Sequence, residues 1–192
     1  MDNEMIINGV LYRRVDENSD TSISCKPTKW REENDIIYFS VTSDGTTGEQ
    51  WIERLENKGF RVGDYAKSIL RSPDFKPTSG VTTEIAVLKG MFWNDNDRTT
   101  SNIRAEANKR KLLKPNAEVA CLIREMFSDE EIEAMGLLWI VVMHEPINDF
   151  VDDSRLLYTS CRGDGRWLDA LYVNPGHGWH SNIGFAFAVS QV

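Results

Sequence analysis

Apolar residues recur at helical spacing through much of the first two thirds of the chain, and fall in short runs broken by glycine and proline in the last third. Met5-Ile6-Ile7-Asn8-Gly9-Val10-Leu11-Tyr12 predicts a short hairpin around an Asn-Gly turn. The polar stretch Asp16–Asn34, with Pro27, reads as an arm, and a strand is expected over Ile36–Thr42. Thr46-Thr47-Gly48-Glu49-Gln50 carries overlapping capping-box patterns before a helix that should bury Trp51, Ile52 and Leu55 and stop at Gly59. A second helix from Asp64 should turn Tyr65, Ala66, Ile69 and Leu70 inward and end before Pro73.

A strand over Val81–Leu88 and a basic helix over Ser101–Leu113 follow. Asn116 can cap a helix whose Val119, Leu122, Ile123, Met126 and Phe127 share one face, and Ser128-Asp129-Glu130-Glu131 starts a short acidic one. Leu137–Met143 is too short and too β-branched for a helix and reads as a buried central strand. Strand-like pieces close the chain with Phe185–Val189. Helices early and strands late make the class α+β, with residues 1–34 as an N-terminal hairpin and arm and residues 35–192 as one domain.

Composition narrows the classes. Hydrophobic residues make up 41% and charged residues 27% of 192, the balance of an ordinary globular chain. The longest apolar run, seven residues at Leu137–Met143, falls far short of the ~20 needed to cross a bilayer, so no membrane insertion is expected. The first residues lack a basic segment followed by an apolar one, so a cytoplasmic location is the default; display on a cell or particle surface by another route stays open. Cys25, Cys121 and Cys161 are too few and too scattered for a disulfide framework. The net charge of −8 sits in one place: residues 115–153 hold Arg124 alone against ten acids, while residues 1–114 balance at 18 and 18. Without a basic stripe, no nucleic-acid partner is expected.

Several fragments could carry chemistry, and each has a plainer reading. His177-x-x-His180 is half of a metal site without a third ligand nearby, so no metal is expected. His144 beside Glu145 could form an acid–base pair, but neighbouring strand residues face opposite ways. Ser43-Asp44-Gly45-Thr46-Thr47-Gly48 lacks the lysine of a phosphate-binding loop. Trp93-Asn94-Asp95 and Glu145-Pro146-Ile147-Asn148 echo lectin calcium signatures, in reversed order and about fifty residues apart. No cofactor is expected.

The last 39 residues contain no Lys, Glu or Met, although residues 1–153 contain 24 Lys and Glu. Exposed loops normally collect Lys and Glu. Here Tyr, Ser, Gly, Asp, Asn and His stand instead, the palette of a recognition surface.

At Gly165-Arg166-Trp167-Leu168, then Pro175 and Trp179, then Gly184-Phe185-Ala186-Phe187, this tail resembles the variable region of target proteins of diversity-generating retroelements. In that family a reverse transcriptase copies a template RNA with errors at adenines, and the copy replaces the end of the target gene. The resemblance is best over residues 156–192. It implies a C-type-lectin-like fold, close to that of formylglycine-generating enzymes, with the randomised residues on a ligand-binding face within about 156–183. Adenine-varied AAC or AAT codons yield Tyr, Ser, Cys, Gly, Asp, Leu, Val, Asn and His, among others, but not Lys, Glu, Gln, Met or Trp; Trp, Phe and Gly can be encoded without adenine.

The resemblance therefore implies a displayed set of Tyr158, Ser160, Cys161, Asp169, Leu171, Val173, Asn174, His177, His180, Ser181 and Asn182. Gly165, Trp167, Trp179, Gly184, Phe185 and Phe187 would form the scaffold beneath it. The displayed residues should be exposed on one face and the aromatic scaffold buried. The implied function is non-catalytic binding of a macromolecule, a protein before a sugar. Two alternatives stand beside it. One is an enzyme of the formylglycine-generating type, which would need a cysteine pair. The other is a DNA-binding regulator using Trp51–Lys58 and Asp64–Arg71 as a helix-turn-helix, opposed by the acidic balance.

Overall fold

Strands apolar at every position have to be covered on both faces, and four segments of this chain have that character: residues 36–39, 85–88, 140–143 and 185–188. In the computed structural model, which describes residues 4–7, 10–13, 29–162 and 165–190, they lie side by side at the centre of one sheet. In chain order the elements are strands β1 (Glu4–Ile7), β2 (Val10–Arg13), β3 (Arg31–Glu33) and β4 (Ile36–Asp44), then helix α1 (Gly48–Asn57). Strand β5 (Arg61–Val62), helix α2 (Asp64–Arg71), strand β6 (Ser79–Lys89) and a 3-10 turn at Gly90–Phe92 follow. Next come α3 (Thr100–Lys109), β7 (Leu112–Leu113), α4 (Val119–Met126) and α5 (Asp129–Ala134). Five strands close the chain: β8 (Trp139–Val142), β9 (Ile147–Asn148), β10 (Ser154–Arg162), β11 (Gly165–Tyr172) and β12 (Ile183–Val189).

The fold is mixed α+β. β1 and β2 pair as an antiparallel hairpin whose expected turn residues, Asn8 and Gly9, lie outside the described residues. The other ten strands form one sheet in the order β3-β4-β6-β12-β8-β10-β11-β5, with β7 on β12 and β9 on β10. Two pairings are parallel, β12 with β8 and β11 with β5.

Alternation divides the core in two. Ile37, Phe39, Ile85, Val87, Ile140, Val142, Leu157, Leu168 and Ala186 face one side, under α1, α2, α4 and α5. Ile36, Ala86, Leu88, Val141, Leu156, Tyr158, Phe185 and Phe187 face the other, under Ile103 and Ala107 of α3 and under Trp179 of the tail. The expected caps set the helix starts. Thr47 and Gln50 form a reciprocal capping box on α1, and Ser128 and Glu131 form one on α5.

Some boundaries differ from expectation. β3, expected as part of the arm, pairs with β4 although its three residues are all exposed, because an edge strand needs no apolar alternation. Between α1 and α2 the chain forms β5 on the sheet edge, so the two helices lie on the sheet rather than meeting through a bare turn. The basic helix stops at Lys109, and Lys111 takes a left-handed φ of 59° before β7. Asn116 accepts from the Glu118 N–H at 3.2 Å, and α4 begins only at Val119. Tyr65, expected inward, is 39% exposed.

Phe185 is the most enclosed aromatic of the tail, fully buried and edge-on to Trp93 and Trp179 with ring centroids 6.1 and 5.3 Å away. Phe185→Ala should lower stability by about 3–5 kcal/mol in urea denaturation; a change under about 1 kcal/mol would contradict this packing.

Candidate functional site

The tail between β11 and β12, residues 173–182, has no regular secondary structure, so its backbone must find partners elsewhere. It finds them on the segment that starts α3. Thr100 N–H donates to His177 O at 3.1 Å and Ser101 N–H to Pro175 O at 3.0 Å, so the first free donors of the helix are used by the loop. Trp179 N–H returns a bond to Arg98 O at 2.9 Å, and its indole N–H donates to Thr100 Oγ1 at 3.1 Å.

Arg98, only 4% exposed, ties these pieces together. Its Nε donates to Gly90 O at 2.7 Å, Nη2 to Trp93 O at 2.6 Å, and Nη1 to Trp179 O at 3.2 Å and to Asp95 Oδ1 at 2.9 Å. Gly90 lies directly under the loop: a Cβ there would sit 2.8 Å from the carbonyl oxygens of His180 and Ile183, closer than backbone tolerates. Gly184 is constrained in the same way, with Val87 Cγ1 2.6 Å and Leu137 Cδ1 2.7 Å from the place of a Cβ.

This arrangement sorts the residues expected on the displayed face. Asn174, His180, Ser181 and Asn182 are exposed on the loop. His177 is half-buried, its ring edge-on to Trp179 at 4.5 Å, and burial lowers its pKa from the usual value. Asp169 and Leu171 are half-buried; Asp169 is held by Tyr158 OH at 3.4 Å and by Ala170 N–H at 2.8 Å.

Three residues depart from the expected exposure. Tyr158 is 4% exposed and packs on Trp139 with ring centroids 5.1 Å apart. Ser160 is fully buried between Trp139 and Trp167 in the sheet register, and Val173 belongs to the second core cluster. Strand alternation puts Tyr158 and Ser160 on the covered face of β10, which composition alone does not reveal. Cys161 lies outside the residues whose side chains are described. In the scaffold set, Trp179, Gly184, Phe185 and Phe187 are buried, while Gly165 and Trp167 are half-buried; Trp167 lies under the Arg61 guanidinium at 5.4 Å.

A cleft of about 340 Å³ adjoins the loop, between Asn174 and Pro175 on one wall and Ser101, Arg104 and the Lys114–Glu145 ion pair on the other. Arg104 already donates to His144 O at 3.2 Å. His144 itself is enclosed: Nδ1 donates to Glu145 O at 2.6 Å, and Nε2 accepts Leu157 N–H at 3.0 Å. Both ring nitrogens are thus used in closing the gap where β8 ends, and Glu145 points away to Lys114. Among the described residues, no group of three or more His, Cys, Asp or Glu is placed to hold a metal ion, and no helix is long and apolar enough to cross a membrane.

Sequence reasoning missed Arg98, whose partner Trp179 lies 81 residues away, and the fully buried Arg124, which pairs with Asp129 at 2.9 Å and stacks on Phe60. No protein-family model, curated protein or solved structure matches the chain.

Two outcomes follow from this geometry. Arg98→Met should cost about 3 kcal/mol or more, because buried carbonyls lose their donors. Asp95→Ala, at a side chain 93% exposed, should change stability by less than about 0.5 kcal/mol. Chemical denaturation of both checks this, and equal effects would contradict it.

The second outcome concerns pH. The unfolded His144 imidazole takes its proton near pH 6.5, whereas burial holds the folded one neutral down to about 4. Its contribution is therefore complete above about pH 6.5, is lost as the pH falls toward 4, and loses nothing further below that, a total of about 3 kcal/mol. Against wild type, His144→Asn should be free of this loss in urea melts across that window; an identical slope would contradict it.

Proposed function

We propose that this chain is a non-catalytic binding protein whose tail presents an exchangeable face to a macromolecular ligand, on a C-type-lectin-like scaffold, and that the tail is diversified by a retroelement. One observation carries the reading. The loop over residues 174–182 takes its shape from backbone bonds to Arg98, Thr100 and Ser101, from the Trp179 indole and from Asn174, whose Oδ1 accepts the Gly176 N–H at 3.0 Å, while the exposed side chains of His180, Ser181 and Asn182 stand outside that framework. A loop held through its main chain keeps its shape when its outward side chains change, which is what a diversified surface requires. Exposed polar side chains of this kind supply adaptable hydrogen bonding, and a half-buried His177 on Trp179 supplies contact area.

The buried positions refine the proposal. Tyr158, Ser160 and Val173 fill the core on the α3 side, so replacing them disturbs packing as well as any surface. The exchangeable face therefore centres on the loop, with Asp169 and Leu171 at its half-buried margin.

The experiment is to sequence the DNA that adjoins the gene. A near-copy of codons 156–192 beside a reverse-transcriptase gene is expected, differing at template adenines. The differences should concentrate at Asn174, His177, His180, Ser181 and Asn182 and spare Trp179, Gly184, Phe185 and Phe187. Absence of such a repeat, or differences falling on the Trp and Phe codons, would overturn the proposal.

A further inference from the structure

Four of the nine large apolar side chains that stand exposed among the described residues fall on α2, on the turn before β10 and at the end of β11, where ring contacts and strand register bring them together. Phe150 is 66% exposed, Val151 57%, Tyr172 47% and Tyr65 39%. Phe150 and Tyr65 stack with centroids 5.3 Å apart and planes 2° from parallel. The Arg155 guanidinium lies 3.6 Å from the centre of the Tyr65 ring, and Tyr172 is its direct cross-strand neighbour on β11. Arg155 and Tyr172 share the sheet face of Leu157 and Leu168, whereas Trp179 and the tail loop cover the other.

The turn that lifts Phe150 and Val151 into solvent is rigid. Buried Asp149 accepts from the N–H groups of Val151 at 2.8 Å and Asp153 at 3.1 Å, and takes the Arg155 Nε as an ion pair. Asp152 closes the turn at a φ of 65°, and its carboxylate accepts from Asn148 Nδ2 at 2.7 Å. Turn tips are ordinarily polar. Here two apolar residues are fixed in water by a buried ion pair, and pre-ordered aromatic anchors of this kind lose little entropy on binding.

We infer that Tyr65, Phe150, Val151 and Tyr172 form a constant docking surface for a protein segment that carries lysine or arginine beside apolar residues. Charge selects that occupant. Asp64 precedes Tyr65 and Asp152 and Asp153 follow Val151, so acidic side chains flank the patch, while Arg155, the cation that lies against Tyr65, is already bound to Asp149 and Asp153. A partner cation gains the acidic rim and the outer face of the Phe150 ring, which is 66% exposed. A second copy of this chain would instead set acidic rim against acidic rim, in a protein of net charge −8. This surface is independent of the tail loop, so both can be occupied at once.

The test is selection of a displayed library of random 12-residue peptides on the immobilised full chain, with Phe150→Ser as the comparison. Selected peptides should carry Lys or Arg next to apolar residues. They should bind the wild type at least tenfold more tightly than Phe150→Ser or Tyr65→Ala, weaken as salt is raised, and be unaffected by replacement of His180 and Ser181. The melting temperature of Phe150→Ser should match wild type, since the ring lies in solvent. No enrichment, acidic consensus peptides, or equal binding to the variants would overturn the inference. Self-association in sedimentation that Phe150→Ser abolishes would overturn it in favour of a second copy. Failure of the diversified-tail reading would leave all these outcomes unchanged.

Discussion

The guanidinium of Arg98 holds the tail to the rest of the molecule. It spans carbonyl groups of Gly90, Trp93 and Trp179, which come from the end of β6 and from the loop before β12. A planar fork of donors suits such a junction, where a lysine could serve fewer acceptors at once. Enclosed at 4% exposure, its bonds to carbonyls are shielded from water, and losing the cation would leave those acceptors buried and unmet. The α3 N-terminus completes the clamp by donating to His177 and Pro175. A helix end that could hold an anion is thus spent on the loop's own main chain.

That clamp explains how an irregular segment coexists with a tight core. On the inner side, Trp179 and Phe185 stack edge-on and cover the centre of the sheet. On the outer side, the chain from His180 to Ile183 passes over Gly90, which has no side chain to meet the carbonyls of His180, Ser181 and Ile183. Sequence freedom on one side and strict packing on the other come from the same few residues. The opposite sheet face, under four helices, is packed independently, and the rigid aromatic turn at residues 149–153 stands on that side.

What the sequence disclosed follows the range of each interaction. The capping boxes at Thr47 and Ser128 are formed within three residues, and both were legible. The run Leu137–Met143 reads as a buried central strand, and β8, shorter at Trp139–Val142, lies between β12 and β10, with Ile140–Met143 buried but Leu138 43% exposed and Trp139 half-buried. The split of the tail into aromatic and polar residues carries over to Trp179, Phe185 and Phe187 against Asn174, His180, Ser181 and Asn182. It fails at Tyr158, Ser160 and Val173, because composition does not say which face of a strand is covered. Arg98, β3 and β5 were illegible: one acts across 81 residues, and the others are too short or too polar to show a period.

The most direct measurement is amide hydrogen exchange in a chain with His180, Ser181 and Asn182 all replaced by alanine. If the main chain and Arg98 shape the loop, the Thr100, Ser101 and Trp179 amides keep the protection they have in the wild type, close to that of the β12 core. Exchange of those three amides at open-loop rates, with β12 still protected, would show that the outward side chains hold the loop, and would contradict the account.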